Sequence, residues 1–311
     1  MKLETEDIKS KTDIKRLTVR LNQIFSQYIG KIMYALLLVS ILETLSVFAL
    51  SALLARSPGQ PSMGAGILSL ALAQAYATAG SFLTWFVLAT FQFGFSIMLL
   101  QFCRRKHANL GYILLGFKKI NPAGKITAAI AAFLAALSLI ARILANVVFA
   151  RVDFSALKES LSLAVAEVSK DAPIMFRAEN IDALITTAIA SLFLAIFALL
   201  TLPHLIFVFH LHFDNPEMRT AALFRKSACL MRGKVFLLVR FALRAGGKPL
   251  LVAFVLAALA AVIPGGKNAP VSLLVFILDI AYFINFYTAI IRIHLTVPVL
   301  YDEIVSPTKE A

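Results

Sequence analysis

Residues 32–54 read IMYALLLVSILETLSVFALSALL, an apolar run in which Glu43 is the one charged residue. A helix needs about 20 predominantly apolar residues to cross a hydrocarbon layer of about 30 Å. The run meets that length and lacks the polar and apolar alternation of a membrane barrel strand. It therefore predicts a transmembrane helix, and this prediction sets the fold class for the rest of the chain.

Four further stretches meet the same test, namely residues 81–102, 126–149, 183–211 and 271–300. A sixth stretch, 249–263, is short, because a rise of about 1.5 Å per residue takes it little more than two thirds of the way across the bilayer. It either begins earlier, in the apolar run 235–243, or crosses where the bilayer is thin. The sequence predicts an all-α, polytopic transmembrane helix bundle of about six spans.

The composition agrees with this class. The 311-residue chain is 60% hydrophobic and 15% charged, and its mean hydropathy is +0.84. Soluble domains have about 45–50% apolar and about 25% charged residues, so an ordinary cytosolic globule and a disordered tail are excluded. The 2 cysteines are too few for a disulfide scaffold or an all-cysteine zinc site.

The basic residues predict the orientation. Of the 30 lysines and arginines, 22 flank alternate ends of the spans, six flank the opposite ends and two lie inside spans. By the positive-inside rule the side with 22 is cytoplasmic, which places both termini inside. The predicted division is a cytoplasmic basic amphipathic helix at 1–31, a six-span domain at 32–300 and a cytoplasmic tail at 301–311. Anionic inner-leaflet lipids, and not nucleic acid, are the partners expected of such charge.

Amphipathic segments with basic residues are expected at the cytoplasmic interface. Apolar residues recur at helical spacing in 14–29, which predicts a helix lying on the inner leaflet. Residues 110–117 predict a short interfacial helix. A helix over 216–244, ending at Gly246-Gly247, is expected beneath the bundle. Its Arg225 and Arg232 are candidates for docking a cytosolic protein partner.

Charged and polar residues inside spans are the candidate site, because such residues are costly there and usually face a partner or a cavity. Depth along the helices places Arg142 and Asp279 each roughly 12 Å below the outer surface, so that they can pair. Glu43 is an alternative partner for Arg142. The functional interpretation is a hydrated pathway or substrate cavity, and the structural one is an ion pair that locks the bundle. The candidate intramembrane cluster consists of Glu43, Arg142, His204, Asp279, Asn285 and Arg292.

Three smaller features bear on this site. Ser138, Arg142 and Asn146 recur every four residues and predict one polar helix face. Pro203 is expected to kink its span beside His204. His210, His212 and Asp214 alternate, but residues two apart do not share a helix face, so no metal and no cofactor is expected.

The chain also resembles a known group of proteins. The run LGYILLGFKK at 110–119, the segment from Asp214-Asn215-Pro216 to Gly233, and the tyrosine-rich last span ending at Tyr301 carry the likeness. They are similar to a family of uncharacterised bacterial six-helix integral membrane proteins, distantly related to the membrane domain of glycerophosphodiester phosphodiesterases. The resemblance implies a bacterial inner-membrane location. It transfers no catalytic residue, and the chain shows no soluble phosphodiesterase domain from which that activity would follow.

Three functional hypotheses follow. The leading one is a non-enzymatic protein of the bacterial cytoplasmic membrane in transport or envelope maintenance, since no phosphate-binding loop, HExxH or GxSxG motif occurs. The second is a membrane scaffold or accessory subunit that docks a cytosolic partner through helix 216–244. The third is a membrane-embedded lipid enzyme using Glu43 or His204 as acid or base. Substrate and oligomeric state stay open.

Overall fold

The computed structural model describes residues 2–54, 67–104, 108–118, 120–160, 181–262 and 269–305. Regular structure in these ranges is helical throughout, which confirms the all-α class. A 3-10 turn at Leu110–Leu114 precedes α3, and residues 155–160 form a short helical segment. The helices are α1 (Lys2–Leu54), α2 (Ile67–Cys103), α3 (Leu115–Lys118), α4 (Ile120–Arg151), α5 (Ile181–Leu205), α6 (Val208–Asp214), α7 (Thr220–Met231), α8 (Val235–Val262) and α9 (Ala269–Val305).

Among the described residues, six segments are long and apolar enough to cross a membrane, and each lies in a region that the sequence indicated. They are Ile14–Ala52, Ala75–Cys103, Ala123–Arg151, Ile185–Asp214, Val235–Leu259 and Leu274–Val305. The chain is therefore a multi-pass membrane protein built as a helix bundle.

The described residues form two compact units. The first comprises Met1–Leu45, Thr90–Ile126 and Pro203–Ala311, and the second comprises Ser46–Ala89 and Thr127–Leu202. The core of the first unit contains large side chains from four helices, among them Leu21, Phe95, Phe241 and Tyr301, which are fully buried. Burial of such side chains removes apolar surface from solvent and holds these helices together.

The amphipathic start of the chain differs from its predicted setting. Helix α1 runs without interruption from Lys2 to Leu54, so the basic segment and the first span are one helix. Ile14, Leu17 and Leu21 are at most 3% exposed and pack inside the first unit. Protein therefore covers the apolar face that was expected to contact lipid, and the location of this segment at the cytoplasmic surface stays a prediction.

The predicted single helix over 216–244 is also wrong. The chain forms α7, turns at Gly233, and then forms α8, which continues past Gly246-Gly247 to Val262. Gly233 has a φ of 75°, a left-handed conformation that glycine adopts without steric cost and that ends the first helix. The fifth span therefore begins at Val235. Of the two alternatives for the short stretch 249–263, the structure has the earlier start in the apolar run 235–243.

Two glycines bring the segment after α2 into contact with that helix. A Cβ at Gly94 would lie 2.3 Å from the carbonyl oxygen of Ile113, and one at Gly116 would lie 2.6 Å from the carbonyl oxygen of Thr90. Only residues without a side chain permit backbone to approach this closely. Residues 110–117, predicted as a short interfacial helix, are helical and packed directly against α2.

The fourth span is interrupted two residues beyond the predicted kink. Pro203 lies inside α5, which ends at Leu205, and α6 begins at Val208. The Ser227 hydroxyl donates to the His204 carbonyl oxygen at 2.8 Å and accepts from the Phe207 amide at 3.3 Å. Proline removes one helical donor and crowds the preceding turn, and the serine of α7 satisfies backbone groups that the interruption leaves unpaired.

Candidate functional site

The strongest polar feature of the first unit is a network of three arginines and three carboxylates, here called the ionic cluster. At its centre the Arg104 guanidinium donates to both carboxylate oxygens of Asp214, at 2.7 and 2.8 Å, and to Asp302 at 3.1 Å. The Tyr301 hydroxyl donates to Asp214 at 2.9 Å. The cluster consists of Arg16, Arg20, Arg104, Asp214, Asp302 and Glu303, together with Tyr301.

The first helix completes this network. Arg20 donates to Asp302 and, at 3.2 Å, to Glu303, while Arg16 lies 3.2 Å from Glu303. The formal charges of the six side chains cancel. The Asp214 and Asp302 side chains are only 6% and 9% exposed, so the guanidinium groups compensate carboxylates that have little access to water.

Helix ends explain why these side chains meet. Arg104 follows directly after α2, Asp214 is the last residue of α6, and Asp302 lies in the last turn of α9. A carboxylate at a helix C-terminus is unfavourable, because the helix dipole is negative there. The Arg104 guanidinium removes this penalty at two helix ends at once, and its hydrogen bond to Asp214 raises the pKa of Arg104 above its usual range. The two carboxylates therefore stabilise the charged form of Arg104.

The cluster contains no arrangement suited to catalysis. Each carboxylate in it accepts from an arginine, and Tyr301 also stacks on the buried ring of His210 at 5.1 Å. A nucleophile needs an adjacent base that is free to take its proton, and these groups are already engaged with one another. These contacts hold the N-terminal part of α1 against the ends of α2, α6 and α9.

The residues of the predicted intramembrane cluster that lie in the first unit have separate partners. Glu43 accepts a hydrogen bond from Gln92 at 2.8 Å. Arg292 donates to the Ala245 carbonyl oxygen at 3.4 Å, and its guanidinium lies 4.6 Å from the centroid of the Phe25 ring.

The other three residues in that unit do not join them. Asn285 donates to Ala281 in its own helix at 2.9 Å, His204 offers its carbonyl oxygen to Ser227, and Asp279 is exposed. Among the described residues of this unit, no hydrogen bond or ion pair joins any two of the five predicted members.

Arg142 belongs to the second unit. Its Nη2 donates to the Thr78 hydroxyl at 3.1 Å, and its Nε is buried without a hydrogen-bond partner in the part of the chain that the structure describes. One helical turn earlier, Ser138 accepts from the Trp85 indole at 3.4 Å. Two residues of the predicted polar face thus meet polar residues of α2. Asp279 lies in the first unit, and its pairing with Arg142 stays a prediction.

The two residues of the predicted docking surface are exposed. Arg225 lies in α7 and Arg232 directly follows it. On its opposite face α7 buries Leu223, Ser227 and Met231. The helix is therefore fixed to the first unit by one face and presents its basic residues on the other.

A cavity of about 440 Å³ lies beside the glycine-packed segment of the first unit. Its apolar wall includes Phe93 and Phe213. Polar groups are supplied by Asn109, Tyr112, Lys118 and His212. The His212 residue is 6% exposed, and its Nδ1 has no hydrogen-bond partner among the described residues.

Sequence reasoning missed the ionic cluster and the cavity. The signal available was that Asp214, Asp302 and Glu303 are acidic residues beside span ends that are otherwise basic. A carboxylate in such surroundings is expected to find a guanidinium partner. The identity of that partner could not be read, since Arg104 and Asp302 are 198 residues apart.

No protein-family model, curated protein or solved structure matches the chain. The resemblance to six-helix bacterial membrane proteins stays a prediction.

Proposed function

We propose that the protein is a non-enzymatic multi-pass protein of the bacterial cytoplasmic membrane that moves an anionic substrate in transport or envelope maintenance. The proposal follows the positive-inside rule in placing the basic span ends, and both termini, in the cytoplasm. Anionic inner-leaflet lipids would then surround the basic end of the bundle.

The position of Arg142 inside a candidate span is the observation that supports transport. Arg142 lies within the candidate span Ala123–Arg151, about nine residues or roughly 13 Å from that span's last residue. A guanidinium at such a position costs at least about 2.5 kcal/mol in apolar surroundings, and groups of this kind usually face water, a partner or a substrate pathway. In the second unit Arg142 donates to the Thr78 hydroxyl, and its buried Nε has no hydrogen-bond partner among the residues that the structure describes. An anionic group passing this point would find an available donor.

Reconstitution into vesicles tests the proposal. Two probes, inorganic phosphate and fluorescently labelled phosphatidylglycerol, separate a soluble anion from an anionic lipid. Arg142→Gln should abolish movement of the transported probe, and Arg142→Lys should retain part of it, because the charge remains. Arg151→Gln, an exposed arginine at the end of the same helix, is the matched control and should behave as wild type.

Folding of the variants can be followed at the site itself. Trp85 is the only tryptophan of the chain, and its indole is hydrogen-bonded to Ser138. An unchanged emission spectrum would show that the neighbouring helix contact persists in Arg142→Gln. Unchanged movement of the transported probe in that variant, or no movement of either probe by wild type, would refute the transport proposal.

Docking of a cytosolic protein with an acidic surface is the second candidate function. The observation that favours it is the exposure of Arg225 and Arg232 on a helix whose other face is fixed. Cys229 lies between them and is exposed, whereas Cys103 is buried. A cleavable thiol-reactive cross-linker placed on Cys229 in native membranes should therefore capture the partner directly.

Charge reversal gives the decisive comparison. A specific adduct should disappear in the Arg225→Glu, Arg232→Glu double variant and persist in Arg244→Glu, an exposed arginine of α8. Equal capture in all three proteins would exclude docking through this surface.

A further inference from the structure

The cavity beside α3 has the composition of a binding site for an amphipathic anion. Among the described residues that line the cavity, Lys118 is the only charged one and none is a carboxylate. The Lys118 ammonium, the Asn109 amide and the Tyr112 hydroxyl are hydrogen-bond donors, and the His212 ring carries one more N–H group. A cation and several donors without a competing acid favour a phosphate group.

The rest of the lining suits a hydrocarbon chain. Phe93, Leu115 and Phe213 border the cavity, and Phe93 packs at 5.4 Å on Phe209 behind it. Ligand sites of about 300–1,000 Å³ combine an apolar lining with a few placed polar groups, and this cavity lies in that range. An apolar wall beside a polar group distinguishes an amphiphile from a free inorganic ion.

The cavity is also positioned at the edge of the membrane. The candidate span Ala75–Cys103 ends just before the segment 108–118 that borders the cavity. Leu110 and Leu114 in this segment are 37% and 43% exposed, so it presents large apolar side chains outward next to its polar residues. Lysine, tyrosine and exposed leucine together are typical of the headgroup level of a bilayer.

His212 gives the second, independent indication of a ligand. It is more than nine-tenths buried, it lines the cavity, and its Nδ1 lacks a partner among the residues described. A buried polar atom without a hydrogen bond is destabilising, and in folded proteins such atoms usually have a partner. The close packing at Gly94 and Gly116 holds the segment 110–118 against α2, so two sides of the cavity are fixed before a ligand arrives.

We propose that this cavity binds the headgroup phosphate of an anionic phospholipid. Lys118 neutralises the phosphate, Asn109, Tyr112 and His212 hydrogen-bond to the headgroup, and the first part of an acyl chain lies against Phe93, Leu115 and Phe213. The site lies wholly in the first unit, and it does not depend on transport past Arg142 in the second.

Native mass spectrometry of the detergent-solubilised full chain tests the site. Wild type titrated with phosphatidylglycerol should bind one lipid more tightly than the rest, and phosphatidylcholine should bind without that preference. Lys118→Gln should weaken the phosphatidylglycerol affinity about fivefold, the effect of removing one lysine charge near a membrane surface. Lys226→Gln, an exposed lysine of α7 outside the cavity, is the matched control and should bind as wild type.

A second variant guards against misfolding. Asn109→Asp is isosteric, Asn109 is exposed, and its side chain makes no capping hydrogen bond, so the fold should tolerate it. The new carboxylate should repel the phosphate and lower the phosphatidylglycerol affinity at least as much as Lys118→Gln does. Equal affinity in wild type, Lys118→Gln and Asn109→Asp would overturn the proposal. Binding of glycerol 3-phosphate as tight as that of the lipid would overturn the assignment to a phospholipid.

Discussion

Replacing Arg104 with glutamine removes the central cation of the ionic cluster. Asp214 and Asp302, whose side chains are 6% and 9% exposed, then lose the guanidinium that joins them. Glutamine can donate to one of them but carries no charge. The variant therefore leaves two carboxylates near each other with little access to water, and Arg20 alone remains beside Asp302.

The expected cost follows from burial. Removing one partner of a buried ion pair costs about 3–5 kcal/mol, because the remaining charge is not compensated. The Arg104 side chain is 16% exposed, so some water reaches the site and we expect a loss in unfolding free energy of about 3 kcal/mol. Arg16 bonds to Glu303 in the same cluster but is 76% exposed, and Arg16→Gln should cost about 0–1 kcal/mol.

The assay is reversible unfolding in mixed micelles, with helix content followed by circular dichroism. Wild type, Arg16→Gln, Arg104→Gln and Arg104→Lys are compared under one detergent condition. The lysine variant should fall between wild type and Arg104→Gln, because it keeps the charge and loses the bidentate geometry. If Arg104→Gln and Arg16→Gln lowered the unfolding free energy equally, burial would not determine the strength of the cluster and the reasoning would be refuted.

Three further substitutions test the backbone. Gly94→Ala should destabilise the fold markedly, since the new Cβ would lie 2.3 Å from a carbonyl oxygen. Gly247→Ala is the control, because its new Cβ would have no atom within 4 Å, and it should be neutral or stabilising by up to about 1 kcal/mol. Thermal melts compare the two variants, and equal melting temperatures would contradict the close contact at Gly94. Gly233→Ala should cost about 1–2 kcal/mol in the same melts, because its φ of 75° is left-handed, and no change would contradict that conformation. Ser227→Ala should cost about 1–3 kcal/mol, because the His204 carbonyl and the Phe207 amide lose their hydrogen bonds to the Ser227 hydroxyl. Ser26→Ala, at an exposed serine, should have little effect, and equal melting temperatures of the two variants would contradict the role of Ser227.

The spans could be predicted because hydropathy is local. A run such as 32–54 contains in its own residues the length and composition that a bilayer requires. The same local reasoning failed at residues 216–244, where one glycine with a left-handed backbone divides the segment. Gly233 was visible in the sequence, but glycine also occurs inside helices, as Gly246 and Gly247 do here.

The polar contacts could not be predicted, because they depend on which helices are neighbours. Depth along a helix suggested that Arg142 and Asp279 lie at one level, but depth does not give the direction in which each side chain points. Glu43 illustrates the difference, because within the first unit it accepts a hydrogen bond from Gln92, a neutral residue that the sequence did not single out. Contacts between distant parts of the chain require the helix packing itself.

The ionic cluster also imposes an order on the assembly of the protein during synthesis. Arg104 can meet Asp214 once 110 further residues have been made, whereas its contact with Asp302 awaits 198. Arg20 must wait longer still, since Glu303 is 283 residues away. Until the last turn of α9 emerges, the first helix carries cations without their carboxylates. A chain that stops before residue 302 therefore keeps its six apolar segments nearly whole, yet it lacks the contacts that join the first helix to the last.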